Sequence, residues 1–181
     1  MNKVPLHFKN ISQIIGSEKL GLLVLVDEKE QWQLAIPCDE AMLQQFELRV
    51  SKVPVMNLML PEVLWQMISS QTDAHFEVLI NDLIEEQYRA ILLNVDTLEQ
   101  VSIRASDAIL LSFISKIPLY IEEKLMNRQS VPYHRSSESM AMPLNAISNR
   151  MLKEALDKAV EDENYELASH LRDEMRRRNL L

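Results

Sequence analysis

The side chains of this 181-residue chain that could do chemistry are few and mostly acidic. Asp39-Glu40, Glu85-Glu86 and Arg104-Ala105-Ser106-Asp107 are the places where carboxylates or a guanidinium crowd together. Asp107 and Glu40 offer the anionic oxygens that Mg²⁺ or Mn²⁺ takes, and Arg104 offers a planar fork matched to a phosphate. Asp107 and Glu40 are thus candidate ligands for a divalent cation and Arg104 a candidate clamp for a phosphate. Each also has a structural reading. Asp107 suits the first turn of a helix, where a carboxylate complements the dipole. Asp39 suits a helix cap. Arg104 can pair with Glu40 or Asp107 to fix a strand–helix corner, and Glu85-Glu86 reads as a solvated turn.

Other chemistries are excluded by what the chain lacks. His7, His75, His134 and His170 are far apart and form neither HxxxH nor HExxH, so a helical zinc site is not expected. Cys38 is the single cysteine, which rules out an intrachain disulfide or a CxxC redox site and leaves a buried thiol as the expectation. Gly16 and Gly21 are the only glycines. They have the spacing of a phosphate loop, but Leu22-Leu23 stands where Lys-Ser/Thr is needed, so residues 16–21 read as a turn between strands. Arg176-Arg177-Arg178 is the only basic run, at a helix end where cations are favoured anyway.

The net charge of −8 is unevenly spread. Residues 1–126 hold 10 Lys/Arg against 18 Asp/Glu, while residues 145–181 hold 7 against 8. An acidic domain disfavours tight non-specific binding to nucleic acid, which relies on cations meeting phosphates. A hydrophobic fraction of 47% and a charged fraction of 25% belong to a folded chain. The N-terminus has no signal-like apolar run and no stretch approaches a membrane span, so the expectation is a cytoplasmic protein without membrane contact.

The elements that must position these residues follow from periodicity. Half-buried patterning over 4–15, the apolar run 22–26 and the alternation over 32–36, stopping at Pro37, predict three strands. Asp39 caps a helix through Ala41, Met42, Gln45 and Phe46, and Pro61-Glu62 opens another. Strands over 75–80, 88–95 and 100–104 follow, then a helix over 107–116 capped by Ser106, and a last strand over 118–121. The order strand–strand–strand–helix occurs twice, which predicts an α+β fold with a mostly antiparallel sheet and an internal β3α duplication.

Residues 127–144 have linker composition, with Pro132, Pro143 and a run of serines, and separate a domain of residues 1–126 from a segment of residues 145–181. That segment carries two amphipathic stretches, 145–162 and 165–178, around Asp162-Glu163-Asn164, and predicts an antiparallel helical hairpin. So short a hairpin cannot bury enough apolar surface to stand alone, and its remaining stripe calls for a partner.

Two resemblances follow. Leu156-x-x-Ala159-Val160-x-x-Glu163-Asn164-Tyr165-Glu166-x-Ala168-x-x-Leu171-Arg172-Asp173 closely resembles the UVR motif of excision-nuclease subunits and stress-protease adaptors. The resemblance implies a docking or self-association device using Leu156, Ala159, Val160, Tyr165, Ala168, Leu171 and Arg172. The small Ala159 and Ala168 let the helices approach, with Tyr165 and Leu171 filling the interface. The first 125 residues resemble the bifunctional nuclease family, on Arg104-Ala105-Ser106-Asp107-Ala108-Ile109, the following apolar helix and Ile117-Pro118-Leu119-Tyr120, and more weakly on Ile36-Pro37 with Glu40-Ala41. That implies hydrolysis of DNA and RNA.

The chain departs from that family where members carry Arg-Pro and then Thr-His-Asp; here stand Val53-Pro54 and Met56-Asn57-Leu58. The family's glycine after the third strand is replaced near Cys38 and Asp39. Two functions therefore stand. One, implied by the family resemblance, is a metal-dependent nuclease with Asp107, Glu40 and Arg104 as its catalytic residues, Asp107 and Glu40 as its metal ligands, and a UVR hairpin for docking. The other is a catalytically silent adaptor that docks through both parts. In either case the hairpin's stripe predicts a protein partner or a homo-oligomer.

Overall fold

The computed structural model describes residues 2–13, 20–133, 149–177 and 179–180. The turn expected over 16–21 lies largely outside these residues, as do His134, Arg178 and the start of the predicted first hairpin helix.

The chain runs β1 (Lys3–Gln13), β2 (Leu20–Asp27), β3 (Trp32–Asp39) and α1 (Glu40–Val50). A 3-10 turn (Pro54–Leu58) and α2 (Leu60–Gln71) come next, then β4 (Phe76–Ile84), β5 (Gln87–Asn94), β6 (Gln100–Arg104) and α3 (Ala105–Ser115). The sheet is completed by β7 (Leu119–Glu122) and β8 (Val131–Pro132), with α4 (Glu123–Gln129) between them. The hairpin is α5 (Asn149–Glu161) and α6 (Tyr165–Arg177).

One eight-stranded sheet, in the order β6-β5-β4-β7-β1-β2-β3-β8, carries the fold. Every pairing is antiparallel except β4 with β7. The α+β, mostly antiparallel expectation is met, and the two meanders β1-β2-β3 and β4-β5-β6 each run straight into a helix, at Asp39/Glu40 and at Arg104/Ala105. Strands β3 and β6 lie far apart in the sheet order, yet Asp39 and Arg104 touch. The sheet therefore curls, in the sense that right-handed strand twist favours, and brings the two strand–helix junctions together.

The space inside the curl holds α3, which touches β3, β4, β5, β6, α1 and α2. Ala108 and Ile109 are fully buried there, with Leu23, Leu25, Leu34, Val78, Ile80 and Ile121 from the strands. Phe8, Phe46 and Phe113 form a ring cluster with centroids 4.8 to 5.8 Å apart, tying β1 to α1 and α3. Leu22, Val24 and Val26 are buried as well, so β2 is covered on both faces, as its unbroken apolar run requires.

Several expectations need correction. β3 does not stop at Pro37 but continues to Asp39, with Pro37 opposite Leu22 and beyond the reach of β8, where a missing N–H is tolerated. Ser106 does not cap α3. The helix begins at Ala105 with Arg104 in the cap position and no side-chain cap bond. Residues 127–132 are not linker: they finish α4 and form β8, which pairs Gln33 with Val131 and Trp32 with Pro132.

The hairpin has its own small core of Leu152, Ala155, Ala159, Ala168, Leu171 and Met175. Ala159, Ala168 and Leu171 do close the seam, but Tyr165 is 69% exposed and fills nothing between the helices. Among the described residues no helix is long and apolar enough to cross a membrane.

Candidate functional site

The curl places the first turns of α1 and α3 side by side, and the site is built on that corner. Asp39 caps α1, its Oδ1 accepting from the Met42 N–H at 2.8 Å. Its other oxygen, Oδ2, accepts from Arg104 Nη1 at 3.3 Å. Arg104 also donates to both oxygens of Asp107 one turn along α3, from Nε to Oδ2 at 2.5 Å and from Nη2 to Oδ1 at 3.2 Å. This fork-on-fork pair, with Asp39 behind it, raises the Arg104 pKa further and keeps the guanidinium charged. The arginine is still 64% exposed at the side chain, so the corner is open to solvent.

A cleft of about 280 Å³ opens beside it, lined by the ends of β3 and β6 and the start of β5. Its walls carry Asp39, Glu86, Arg89 and Arg104. In the β5–β6 ladder Arg89 stands directly opposite Arg104. Two like charges in that register repel each other unless an anion lies between them. Asp39 and Asp107 answer Arg104; among the described residues no ion-pair partner is seen for Arg89.

Cys38 and Tyr88 form the apolar side of the cleft. Burial, then the Asp39 charge, pushes the Cys38 thiol up to about 12, against a smaller opposing hydrogen bond from Gly21. It is a neutral thiol, the buried one the sequence predicts, and no nucleophile at pH 7. Burial also pushes the Tyr88 phenol up. Glu86 accepts from the Asn149 N–H at 3.2 Å. Glu85 and Glu86 form the turn into β5 with φ of 50° and 62°, a left-handed conformation that glycine or asparagine would adopt more easily.

The predicted catalytic set is thus only partly assembled. Arg104 and Asp107 meet, as the alternative of a structural corner pair required, and Arg104 takes Asp39 rather than Glu40 as its second partner. Glu40 does not line the cleft and accepts from Gln44 along its own helix at 3.3 Å. Asp107 does not line the cleft either; its carboxylate is taken by Arg104 and that of Glu40 by Gln44. Among the described residues no group of three or more His, Cys, Asp or Glu is placed to hold a metal ion. The donor set does not fit a resident Mg²⁺ or Mn²⁺: Asp107 and Asp39 turn their oxygens to a guanidinium and a backbone amide. Met56, Asn57 and Leu58, which stand where the family has Thr-His-Asp, lie in the 3-10 turn and do not line this cleft.

The family model of the bifunctional nuclease domain matches residues 23–134, and that of the UvrB/UvrC motif matches residues 150–177. The chain belongs to the bifunctional nuclease domain family. No curated protein matches it. The bifunctional nuclease match runs past β8, so the segment 127–133 belongs with the sheet by sequence as well as by structure. Sequence reasoning did not find Arg89 as a site residue, because its position opposite Arg104 exists only in the strand register.

On the hairpin, Ala159, Ala168 and Leu171 are spent in the seam. Of the predicted docking residues, Val160, Tyr165 and Arg172 face solvent and Leu156 is half-buried, so a partner would meet those.

Proposed function

We propose that this chain is a phosphodiesterase of the bifunctional nuclease family that takes a nucleic-acid phosphate between Arg89 and Arg104, and that the UVR hairpin docks it to a protein partner. The observation carrying this reading is the cross-strand Arg89–Arg104 pair at the mouth of an open cleft, on an otherwise acidic domain. Two guanidinium groups facing one another are stabilised by an anion, and a phosphodiester presents two oxygens to them. When Arg104 turns to a phosphate, it frees Oδ2 of Asp39 and the carboxylate of Asp107 next to it.

A freed carboxylate beside two arginines fits RNA better than DNA, because RNA supplies its own nucleophile. The 2′-oxygen attacks the adjacent phosphorus, its proton passes to the carboxylate, and the bond from phosphorus to the 5′-oxygen breaks. Water protonates that leaving oxygen, and a 2′,3′-cyclic phosphate remains. The arginines hold the charge that builds on the phosphoryl oxygens.

The test is cleavage of RNA, of DNA and of RNA with a single 2′-deoxy position, with Mg²⁺, with Mn²⁺ and with excess chelator. The expected result is RNA cleavage that survives chelator, is blocked at the deoxy position and falls at least tenfold in Arg104→Gln and in Arg89→Gln. Intact RNA under every condition would overturn it.

A second reading, the silent adaptor, is favoured by one observation: Asp107 and Asp39 both bind Arg104 as a corner clamp would. The same assay separates the two, since a clamp predicts lower stability and no cleavage to lose.

A further inference from the structure

α2 turns its apolar stripe, Leu60, Val63, Leu64, Met67 and Ile68, to water and is held to the domain by Trp65 and by the Arg49–Glu62 pair. The end of this helix and the start of β4 enclose a cavity of about 310 Å³. It is separate from the cleft at Arg104. Phe76, on its wall, pairs with Asn94, at the other end of β5 from Gln87, Tyr88 and Arg89, so the two lie roughly 20 Å apart.

The polar part of the wall is made of acceptors. The Ser69 hydroxyl spends its hydrogen on the Gln66 carbonyl at 3.2 Å, and the Thr72 hydroxyl spends its own on that of Ile68 at 3.1 Å, so each has only lone pairs left to offer. Among the described residues no hydrogen bond or ion pair is seen for the Asp73 carboxylate. His75 is fixed by Asp96, whose carboxylate accepts from the His75 backbone N–H at 2.8 Å and from Nδ1 at 3.1 Å. A carboxylate only accepts, so Nδ1 carries the proton and Nε2 of the neutral ring offers a lone pair. The backbone bond and then the ring bond of His75 hold the Asp96 carboxyl below its usual range, and it stays charged. The negative pole of the 12-residue α2 adds to this, with no basic residue in its last turn to answer it. The rest of the wall is apolar: Ile68, with Trp65 and Phe76 packed edge to face at 6.3 Å. None of the described residues lining the cavity is a lysine or arginine.

We propose that this cavity binds a small organic ammonium ion. An ammonium head brings three donors to a wall of acceptors, and Asp73 supplies the counter-charge. The Trp65 ring attracts the cation, while the alkyl body lies against Ile68 and Phe76. A bare divalent metal is served less well, since no group of three His, Cys, Asp or Glu comes together among the described residues. A phosphate or carboxylate would meet only acceptors and negative charge. The volume stands at the low end for ligand cavities and suits a short alkylamine. Binding here is independent of the cleft chemistry.

An NMR titration of the ¹⁵N-labelled full chain with pentylammonium chloride tests it, against 1-pentanol as the neutral isostere and against ZnCl₂, all at matched ionic strength. The expected result is saturable shifts that are largest at the Trp65 indole and over residues 68–76, with pentanol weaker by about fivefold or more. Asp73→Asn should weaken pentylammonium binding about tenfold, with a wild-type spectrum away from the cavity, and Trp65→Leu about fivefold. No saturation by about 50 mM, equal binding of pentanol, or undiminished affinity in Asp73→Asn overturns the proposal. So does displacement of the amine by micromolar Zn²⁺ with shifts centred on His75, which would mark a metal site instead.

Discussion

The helices α2 and α3 have 12 and 11 residues, both are rich in apolar side chains, and they end on opposite sides of the water boundary. In α3, Ala105, Ala108, Ile109 and Leu110 are buried under the curled sheet, whereas α2 buries none of its residues fully. The difference lies in position. α3 follows β6 without a linker and is carried into the curl, while α2 sits on the outside, held by the Arg49–Glu62 pair, by Trp65 against the core and by contact with α3. Apolar composition sets how much surface seeks cover; the topology sets whether the chain itself supplies it.

The comparison can be broken by substitutions of graded effect. Ile109→Ala in α3 should cost about 4 kcal/mol in urea unfolding, since it empties a fully buried site. Arg49→Met should cost about 3 kcal/mol by leaving Glu62 half-shielded without its partner. The double variant Arg49→Met/Glu62→Leu should recover most of that loss; no recovery would mean that α2 is held chiefly by Trp65. At the corner, Asp39→Ala should cost about 1 kcal/mol through the lost α1 cap.

Glu85→Asn/Glu86→Gly, which suits the left-handed turn, should stabilise by about 1 kcal/mol, and a loss would show that the Glu86 contact to Asn149 outweighs the turn strain. Met67→Gln in α2 should change chain stability by no more than about 0.5 kcal/mol in urea unfolding, because the side chain it replaces is exposed.

The thiol of Cys38 gives a pH test of the same core. Its folded pKa lies above that of the unfolded chain. The contribution is therefore complete below about pH 9, where the thiol is neutral in both states, and is lost as pH rises toward about 12. Alkaline unfolding curves for wild type and Cys38→Ala should diverge over that window, with the variant falling less steeply. Parallel curves would show that Cys38 does not titrate with unfolding.

Much of this was legible in the chain. The strand meanders, the Asp39 cap, the second helix at Pro61 and the hairpin all follow from local periodicity and local hydrogen bonding, which a few adjacent residues decide. The parts that were not legible are non-local. Two-residue β8 has no pattern of its own and exists because Gln33 and Trp32 offer it an edge. Tyr165 is out of the seam because the six residues of the hairpin core already fill it. The scarcity of glycine was plain, but that Glu30, Lys52, Glu85, Glu86, Leu98 and Lys116 would take positive φ in its stead was not, because turn geometry is imposed by the strands and helices being joined.

By itself the sequence determined the α+β class, the order of its principal strands and helices, the family and the C-terminal motif, since these rest on residue type and short-range spacing. The tertiary structure alone decided that Arg104 takes Asp39 and Asp107, that Arg89 stands opposite Arg104 in the β5–β6 ladder, that Glu40 stands aside, and that the apolar stripe of α2 points to water. Those outcomes depend on sheet curl and strand register, which bring together residues as far apart as 39 and 104, and no local pattern encodes a contact of that range.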